Sequence, residues 1–324
     1  MRRLKHEFDD GVMAGIEVGN PGKPYAALWL HATGFNAMTY QSMLAPLGLR
    51  TRVAALDLRG HGRTTLPAKP GSLASWTTYR NDVIAWLEKH APAGVVLGGH
   101  SMGGCVALMV AGKRPDLVKG LVLADPVILS PAYYRWQHWI PFANHFAARA
   151  HPMAKGARKR RKHFESLEAA QQSYTGRSIF KTWREPFLAD YVLDAFDRAD
   201  HNAYDSDDQT WELLCAPKWE AATFAAQRNR PWSAIRRVRK KGIPAVILMG
   251  ERGSVMSQKT ATRLMRKNPN LVIKIKQGTT HFLPMEAPYE VRDHISSYLS
   301  RLVEGFTAVD EGHVRRTLVA GERR

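Results

Sequence analysis

The sequence predicts an α/β fold: a mostly parallel, doubly wound sheet with helices on both faces, interrupted by an inserted helical cap. Three observations predict it. Short apolar runs alternate with segments of helical period over most of the chain. Most of these runs are apolar on both faces, as strands of a sheet covered on both sides must be. The alternation then breaks over one long stretch, from about residue 130 to 235, which is too long for a loop in a compact domain.

In chain order, Lys5–Phe8 and Val12–Val18 flank Asp9-Asp10-Gly11, the turn signal of an antiparallel hairpin. The runs Ala26–Leu30, Val53–Leu56, Val95–Leu97, Leu121–Ala124, Ala245–Met249 and Leu271–Ile275 read as strands. Between them, Tyr79, Val83, Trp86 and Leu87 recur at helical spacing, and so do Val291, Ile295, Leu299 and Leu302. Strand–helix alternation of this kind builds a doubly wound sheet. The sheet domain therefore takes in residues 1–129 and 236–304, the cap 130–235, and a polar, peripheral tail 305–324. The cap has helical composition and no clear buried strand. It opens on aromatic residues, Tyr133, Tyr134, Trp136, Trp139, Phe142 and Phe146. These either pack on the sheet domain or line a pocket for an apolar substrate.

The 324 residues are 44% hydrophobic and 23% charged, enough for a large core. There are 2 cysteines, Cys105 and Cys215, far apart, which argues against a disulfide framework and suits a reducing compartment. The N-terminal residues carry charges with no apolar stretch behind them, and no apolar run reaches the roughly 20 residues needed to span a bilayer. The expectation is a cytoplasmic protein. The net charge of +18 is uneven: Lys155, Arg158, Lys159, Arg160, Arg161 and Lys162 form one cluster, Arg236, Arg237, Arg239, Lys240 and Lys241 another. A solvated basic face is the plain reading. Neither cluster lies in a nucleic-acid-binding motif, so no nucleic acid is expected as partner. Weak contact with an anionic membrane surface, through the aromatic and basic stretch Tyr133–Lys162, is a further reading, although Pro141 and Pro152 interrupt any single amphipathic helix there. No metal-ligand spacing and no dinucleotide or P-loop fingerprint is present, so no metal and no cofactor is expected.

The sharpest signal is Gly99-His100-Ser101-Met102-Gly103, directly after the apolar run Val95–Leu97 and before the helical stretch Cys105–Ala111. A chain that reverses between strand and helix in so few residues forces the serine into a strained conformation and presents its hydroxyl at the tip of the turn. Glycine two residues to either side removes side chains that would clash. The helix N-terminus aims its amides, that of Met102 among them, at developing negative charge. An ordinary serine in a glycine-rich turn is the plain alternative.

With this motif the chain resembles the α/β-hydrolase superfamily, in its esterase-like serine hydrolases with an inserted cap. Asp57-Leu58-Arg59-Gly60-His61-Gly62-Arg63-Thr64 is similar to that family's loop after the preceding core strand, and Gly278-Thr279-Thr280-His281-Phe282-Leu283-Pro284-Met285-Glu286-Ala287-Pro288 to its catalytic-histidine loop. The resemblance covers roughly Leu28 to Leu302 apart from the cap, with the motifs in the family's order. It implies Ser101 as nucleophile and His281 as general base. A serine hydroxyl is a poor nucleophile at neutral pH, and an imidazole in reach can take its proton during attack. His31-Ala32-Thr33-Gly34-Phe35-Asn36 resembles the family's oxyanion loop, which implies the backbone N–H groups of Thr33 and Met102 as the donors. Ala32 stands where glycine is usual.

The third member of the triad is less plain. Gly253 occupies the position where the family commonly has its acid. Some members carry the acid one strand earlier, where this chain has Asp125, just after Leu123-Ala124 and before Pro126. Asp125 would hold the imidazole tautomer and stabilise the imidazolium. Alternatively it only turns the chain ahead of Pro126, and Glu251 is the alternative acid, with Ser254, a water or no acid left open. The function implied is hydrolysis of a small acyl compound, an ester first, through an acyl-enzyme. Lactone opening, amide cleavage, carbon–carbon hydrolysis and perhydrolysis use a similar triad. A hydrolase-fold protein that binds a small molecule without turnover is the reading of another class.

Overall fold

The computed structural model describes residues 1–139, 151–198 and 210–304. Among the described residues the main sheet has eight strands: β1 (Arg2–Phe8), β2 (Gly11–Val18), β3 (Tyr25–Leu30), β4 (Arg52–Leu56), β5 (Val95–His100), β6 (Val118–Ala124), β10 (Ala245–Gly250) and β11 (Leu271–Lys276). Their order is β1-β2-β4-β3-β5-β6-β10-β11. The hairpin β1–β2 runs antiparallel through its two-residue turn, and β2 pairs antiparallel with β4. From β4 to β11 every pairing is parallel.

Side-chain alternation splits the interior into two apolar layers. Leu28 and Leu30 of β3 join the layer under the helices Thr77–His90, Met102–Lys113 and Pro231–Lys240, while Ala27 and Trp29 join the layer on the opposite face with the C-terminal helix Pro288–Glu304. A period of two on strands covered on both sides requires this division. The helix Pro231–Lys240 crosses the domain boundary expected at residue 235. It buries Ala234, Ile235 and Val238 and packs on Met102–Lys113, where Gly112 lets Ala234 approach closely. Its basic residues Arg236, Arg237, Arg239 and Lys240 form the exposed face of that helix.

The segment between β6 and that helix carries the helices Pro131–Trp139, Pro152–Arg158, Leu167–Tyr174, Phe187–Ala195 and Pro217–Ala225. It also carries a small antiparallel sheet, β7 (His163–Phe164), β9 (Trp211–Leu213) and β8 (Phe196–Arg198), where the sequence reads as helical. These strands are two or three residues long, too short to leave a periodic signature. Phe142 and Phe146 of the expected aromatic stretch, and the tail 305–324, lie outside the described residues. Of that stretch Tyr134 is buried on the sheet domain, whereas Trp136 and Trp139 are exposed.

The helix Phe187–Ala195 fastens this insertion to the core. Asn36 Nδ2 donates to the Tyr191 carbonyl at 3.0 Å, Gln41 Nε2 to Asp190 at 2.7 Å and Arg63 Nε to Asp194 at 2.8 Å. Arg3 pairs with the other oxygen of Asp194.

Several histidines are held neutral by the fold. Burial lowers the pKa of His31 and His100 well below the ordinary value and that of His61 from 6.5 to about 4. The unfolded chain therefore binds protons before the native state does as pH falls. This stability is complete above the unfolded pKa and is lost as pH drops from 6.5 toward 4. Asp57 acts in the opposite sense, since burial raises its carboxyl from 3.8 to about 6. A comparison with His61→Leu isolates one contribution. In urea titrations at pH 7 and pH 4 the wild type should lose more stability than the variant. The difference should be on the order of 3 kcal/mol, and equal pH dependence of the two would refute the assignment.

Candidate active site

A crevice of an open α/β sheet forms outside the carboxyl ends of strands where the strand order reverses. Here that point lies between β3 and β5: β4 lies on one side of β3, and the chain then crosses to place β5 on the other. The segments after β3 and β5 carry Thr33 and Ser101.

At the end of β5 the chain turns with Ser101 at φ 56° and ψ −116°, outside the regions where non-glycine residues rest. The turn survives because glycine flanks it. A Cβ on Gly103 would stand 2.3 Å from the Leu30 carbonyl oxygen, and one on Gly99 would stand 2.5 Å from the Gly103 backbone. Ser101 N–H donates to the Ala124 carbonyl at 3.0 Å, and its own carbonyl accepts from Cys105 and Val127, each at 3.1 Å. The nucleophile turn and the segment after β6 are thereby tied together.

That tie positions Asp125. Its N–H donates to Leu248 of β10 at 2.7 Å, extending the sheet by one residue, and its φ of 38° swings the carboxylate toward the base. Asp125 is wholly buried. His281 Nδ1–H donates to Asp125 Oδ2 at 2.7 Å, and the Ser101 hydroxyl donates to His281 Nε2 at 3.0 Å. The carboxylate can only accept, so the proton sits on Nδ1 and leaves Nε2 free to accept from the Ser101 hydroxyl.

The other carboxylate raised by the sequence is elsewhere. Glu251 is exposed and accepts the Gly278 N–H at 3.0 Å. Gly253 has a φ of 65° and open space around it. Ser254 donates its hydroxyl to Asp125 Oδ1, and Val255 N–H donates to Oδ2 at 3.4 Å. The strand that commonly supplies the acid thus supplies donors to it instead.

Thr33 and Met102 stand at the two strand ends, and neither N–H has an acceptor among the described residues. Ala32 does not disorder its loop. His31 Nε2 accepts the Leu58 N–H at 2.9 Å, so its Nδ1–H donates to the Ala32 carbonyl at 2.7 Å; Phe35 N–H donates to the same oxygen at 3.1 Å. The Ala32 carbonyl and the Thr33 N–H belong to one planar trans peptide, so fixing the oxygen aims the N–H the opposite way. Asp57 braces the same segment by accepting Ala37 N–H at 2.6 Å and Arg63 N–H at 3.0 Å. Glu286 does the same for the base loop, accepting the Thr280 N–H at 2.5 Å and its hydroxyl at 2.6 Å.

Aromatic rings cluster beside the base. Phe282 lies 5.2 Å from the His281 ring, and Trp183 lies 5.1 Å from Phe35 and 6.2 Å from Phe282. Phe180 and Tyr191 extend the cluster. Sequence reasoning looked for such a wall at Tyr133–Phe146 and missed these residues, which come from three separate parts of the chain. Arg160, in one of the basic clusters, also turns inward. It donates to Glu220 at 2.7 Å and to the Tyr191 hydroxyl at 2.7 Å, beside Gly34. No group of three or more potential metal ligands occurs among the described residues, and no described helix is long and apolar enough to cross a membrane.

A strained serine at a strand-to-helix turn, an imidazole and a buried carboxylate in hydrogen-bonded series define a hydrolase-type site. A model of the alpha/beta hydrolase family matches residues 27–294, and the chain belongs to that family. The chain is similar to the 2-(acetamidomethylene)succinate hydrolase of Mesorhizobium japonicum, 23% identical over 284 residues, which are 88% of this chain and 91% of that one. A crystal structure of E-2-(acetamidomethylene)succinate hydrolase superposes with a TM-score of 0.72 at 20% identity, covering 92% of this chain and all of the other. The thioesterase domain from the curacin biosynthetic pathway superposes with the same TM-score, 0.72, at 17% identity, covering 91% of this chain and 99% of that domain. A shorter stretch is 42% identical to lipase LipV of Mycobacterium tuberculosis over 78 residues, 24% of this chain and 28% of that lipase.

The two carboxylates are separable by mutation. Asp125→Asn should lower turnover about 10⁴-fold by favouring the wrong imidazole tautomer, while Glu251→Gln leaves it within about twofold. Steady-state kinetics of the two purified variants check this, and equal losses would contradict the arrangement.

Proposed function

We propose that the protein is a serine hydrolase that cleaves a carboxylic ester or related small acyl compound through an acyl-enzyme on Ser101. One observation carries the reading: the unbroken series from Asp125 through His281 to the Ser101 hydroxyl, at 2.7 Å and 3.0 Å. His281 Nε2 takes the hydroxyl proton as Oγ attacks the substrate carbonyl carbon. The carbonyl oxygen gains negative charge, which the N–H groups of Thr33 and Met102 are free to bind. The imidazolium, held against Asp125, then protonates the leaving alkoxide as the carbon–oxygen bond breaks. Water enters, gives its proton to His281 Nε2 and attacks the acyl carbon, and release of the acid restores Ser101. Asp125 stays ionised throughout. The serine favours this route over the alkyl-transfer chemistry of family members with aspartate at the same turn.

The rings of Phe35, Trp183 and Phe282 support an apolar group on the substrate, because they pack as an apolar cluster next to His281. The whole-length relative named 2-(acetamidomethylene)succinate hydrolase favours a second reading, an acidic N-acetyl compound as substrate.

The test is a panel of p-nitrophenyl esters from acetate to decanoate, together with 2-(acetamidomethylene)succinate. Wild type and Ser101→Ala are compared on each. Turnover should fall by about 10⁶-fold in the variant, and rates should rise with acyl length before falling. Equal turnover by both proteins would remove Ser101 from the chemistry. A flat acyl profile would remove the apolar wall from specificity. No turnover by the wild type on any substrate would favour a binding protein on the hydrolase scaffold.

A further inference from the structure

The residue before the nucleophile is a buried histidine that the triad does not use. His100 Nε2 lies 2.8 Å from the backbone carbonyl oxygen of His281, which can only accept, so Nε2 carries the proton. Its Nδ1 is then a bare acceptor, and the Tyr40 hydroxyl donates to it at 2.8 Å. The same phenol oxygen accepts the N–H of Ala32 at 3.1 Å. Each bond has one sense only. The line runs from Ala32 N–H to Tyr40 O–H to His100 Nδ1, and from His100 Nε2–H to the His281 carbonyl. Ala32, Tyr40 and His100 are fully or almost fully buried, so water does not compete for these partners. Burial, aided by the neighbouring His281, keeps His100 neutral well below its ordinary pKa, so Nδ1 stays available to Tyr40.

The ends of the line matter. Ala32 precedes Thr33, and its carbonyl is already fixed by His31 and Phe35. Tyr40 fixes the N–H of Ala32, which belongs to the preceding peptide, so both peptide planes that meet at the Ala32 Cα are anchored, the one that carries the Thr33 N–H among them. At the far end the line grips the main chain of the base itself. His281 has its side chain held by Asp125 and its backbone by His100. Nothing else described joins the oxyanion segment to the base loop by a chain of hydrogen bonds through the nucleophile turn.

We propose that Tyr40 and His100 are positioning residues that hold the oxyanion donor at Thr33 and the general base His281 in one fixed relation across Ser101. This rests on the serine-hydrolase reading. Proximity catalysis loses on the order of 100-fold for a displacement of about 1 Å, so a line of this kind acts on turnover far more than on substrate binding.

Three variants separate its parts. Tyr40→Phe removes the phenol oxygen and both of its bonds. His100→Leu removes both ring partners. His100→Gln keeps an amide N–H near the position of Nε2, and with it the bond to the His281 carbonyl, but gives up the Tyr40 acceptor. Each is assayed below its own melting temperature, with p-nitrophenyl ester turnover, fluorophosphonate labelling of the serine, and the low-field proton resonance of His281 Nδ1–H. Tyr40→Phe and His100→Leu should lower kcat by roughly 10- to 100-fold with KM within about twofold. His100→Gln should label faster than His100→Leu and keep the low-field resonance that His100→Leu broadens or shifts. Folded Tyr40→Phe and His100→Leu with kcat within twofold of wild type would overturn the proposal, as would His100→Gln behaving no better than His100→Leu. A wild type that neither turns over an ester nor takes the label would sink the serine-hydrolase reading itself, and the proposal with it.

Discussion

The turn after β5 asks the backbone to reverse within a residue that cannot relax. Ser101 pays for its position at φ 56° with strain, and three hydrogen bonds to its own amide and carbonyl hold it there. Those bonds go to the residues flanking Asp125 and into the helix behind, so the strained turn also locates the Asp125 carboxylate. The absence of a side chain on Gly103 lets the end of β3 come against the same turn, which brings the Thr33 segment within reach, and its absence on Gly99 lets the turn close on the Gly103 backbone. Ser101, Asp125 and the Thr33 segment are thus set by a single local geometry. Only His281 arrives independently, on the loop after β11, and it is there that additional restraints collect: Asp125 on its ring, His100 on its backbone, Glu286 on the preceding residue.

Much of this was legible before any coordinates. Strands buried on both faces leave apolar runs that need no partner to be recognised, and the Asp9-Asp10-Gly11 turn marked the hairpin. The motif around Ser101 carries its own local physics, and those around His281 and Thr33 stood out through the family resemblance and their places after strands. The preference for Asp125 over Glu251 rested on the resemblance alone, because both follow strands and sequence gives no distance between strand ends. The geometry separates them: Asp125 meets the imidazole and Glu251 meets the Gly278 amide.

Other features were illegible for different reasons. The small sheet of the insertion uses strands shorter than any period. Tyr40 is separated from His100 by 60 residues and His100 from His281 by 181, so no spacing rule links them. The aromatic wall joins Phe35, Trp183 and Phe282, which lie in three different loops. Arg160 looked like one member of a solvated cluster, but its guanidinium turns inward onto Glu220 and two tyrosine hydroxyls. A charge run describes composition, and the rotation of each side chain about its element decides which of its members meets water.

The insertion is bolted to the core through the oxyanion segment itself. Asn36, three residues after Thr33, spends its side-chain amide on the Tyr191 carbonyl, and Gln41 and Arg63 secure the same helix nearby. An insertion grafted from a relative would strip these partners from the loop that carries Thr33. In this chain the insertion and the segment that carries Thr33 are therefore one mechanical unit, and a change in either is felt by the other.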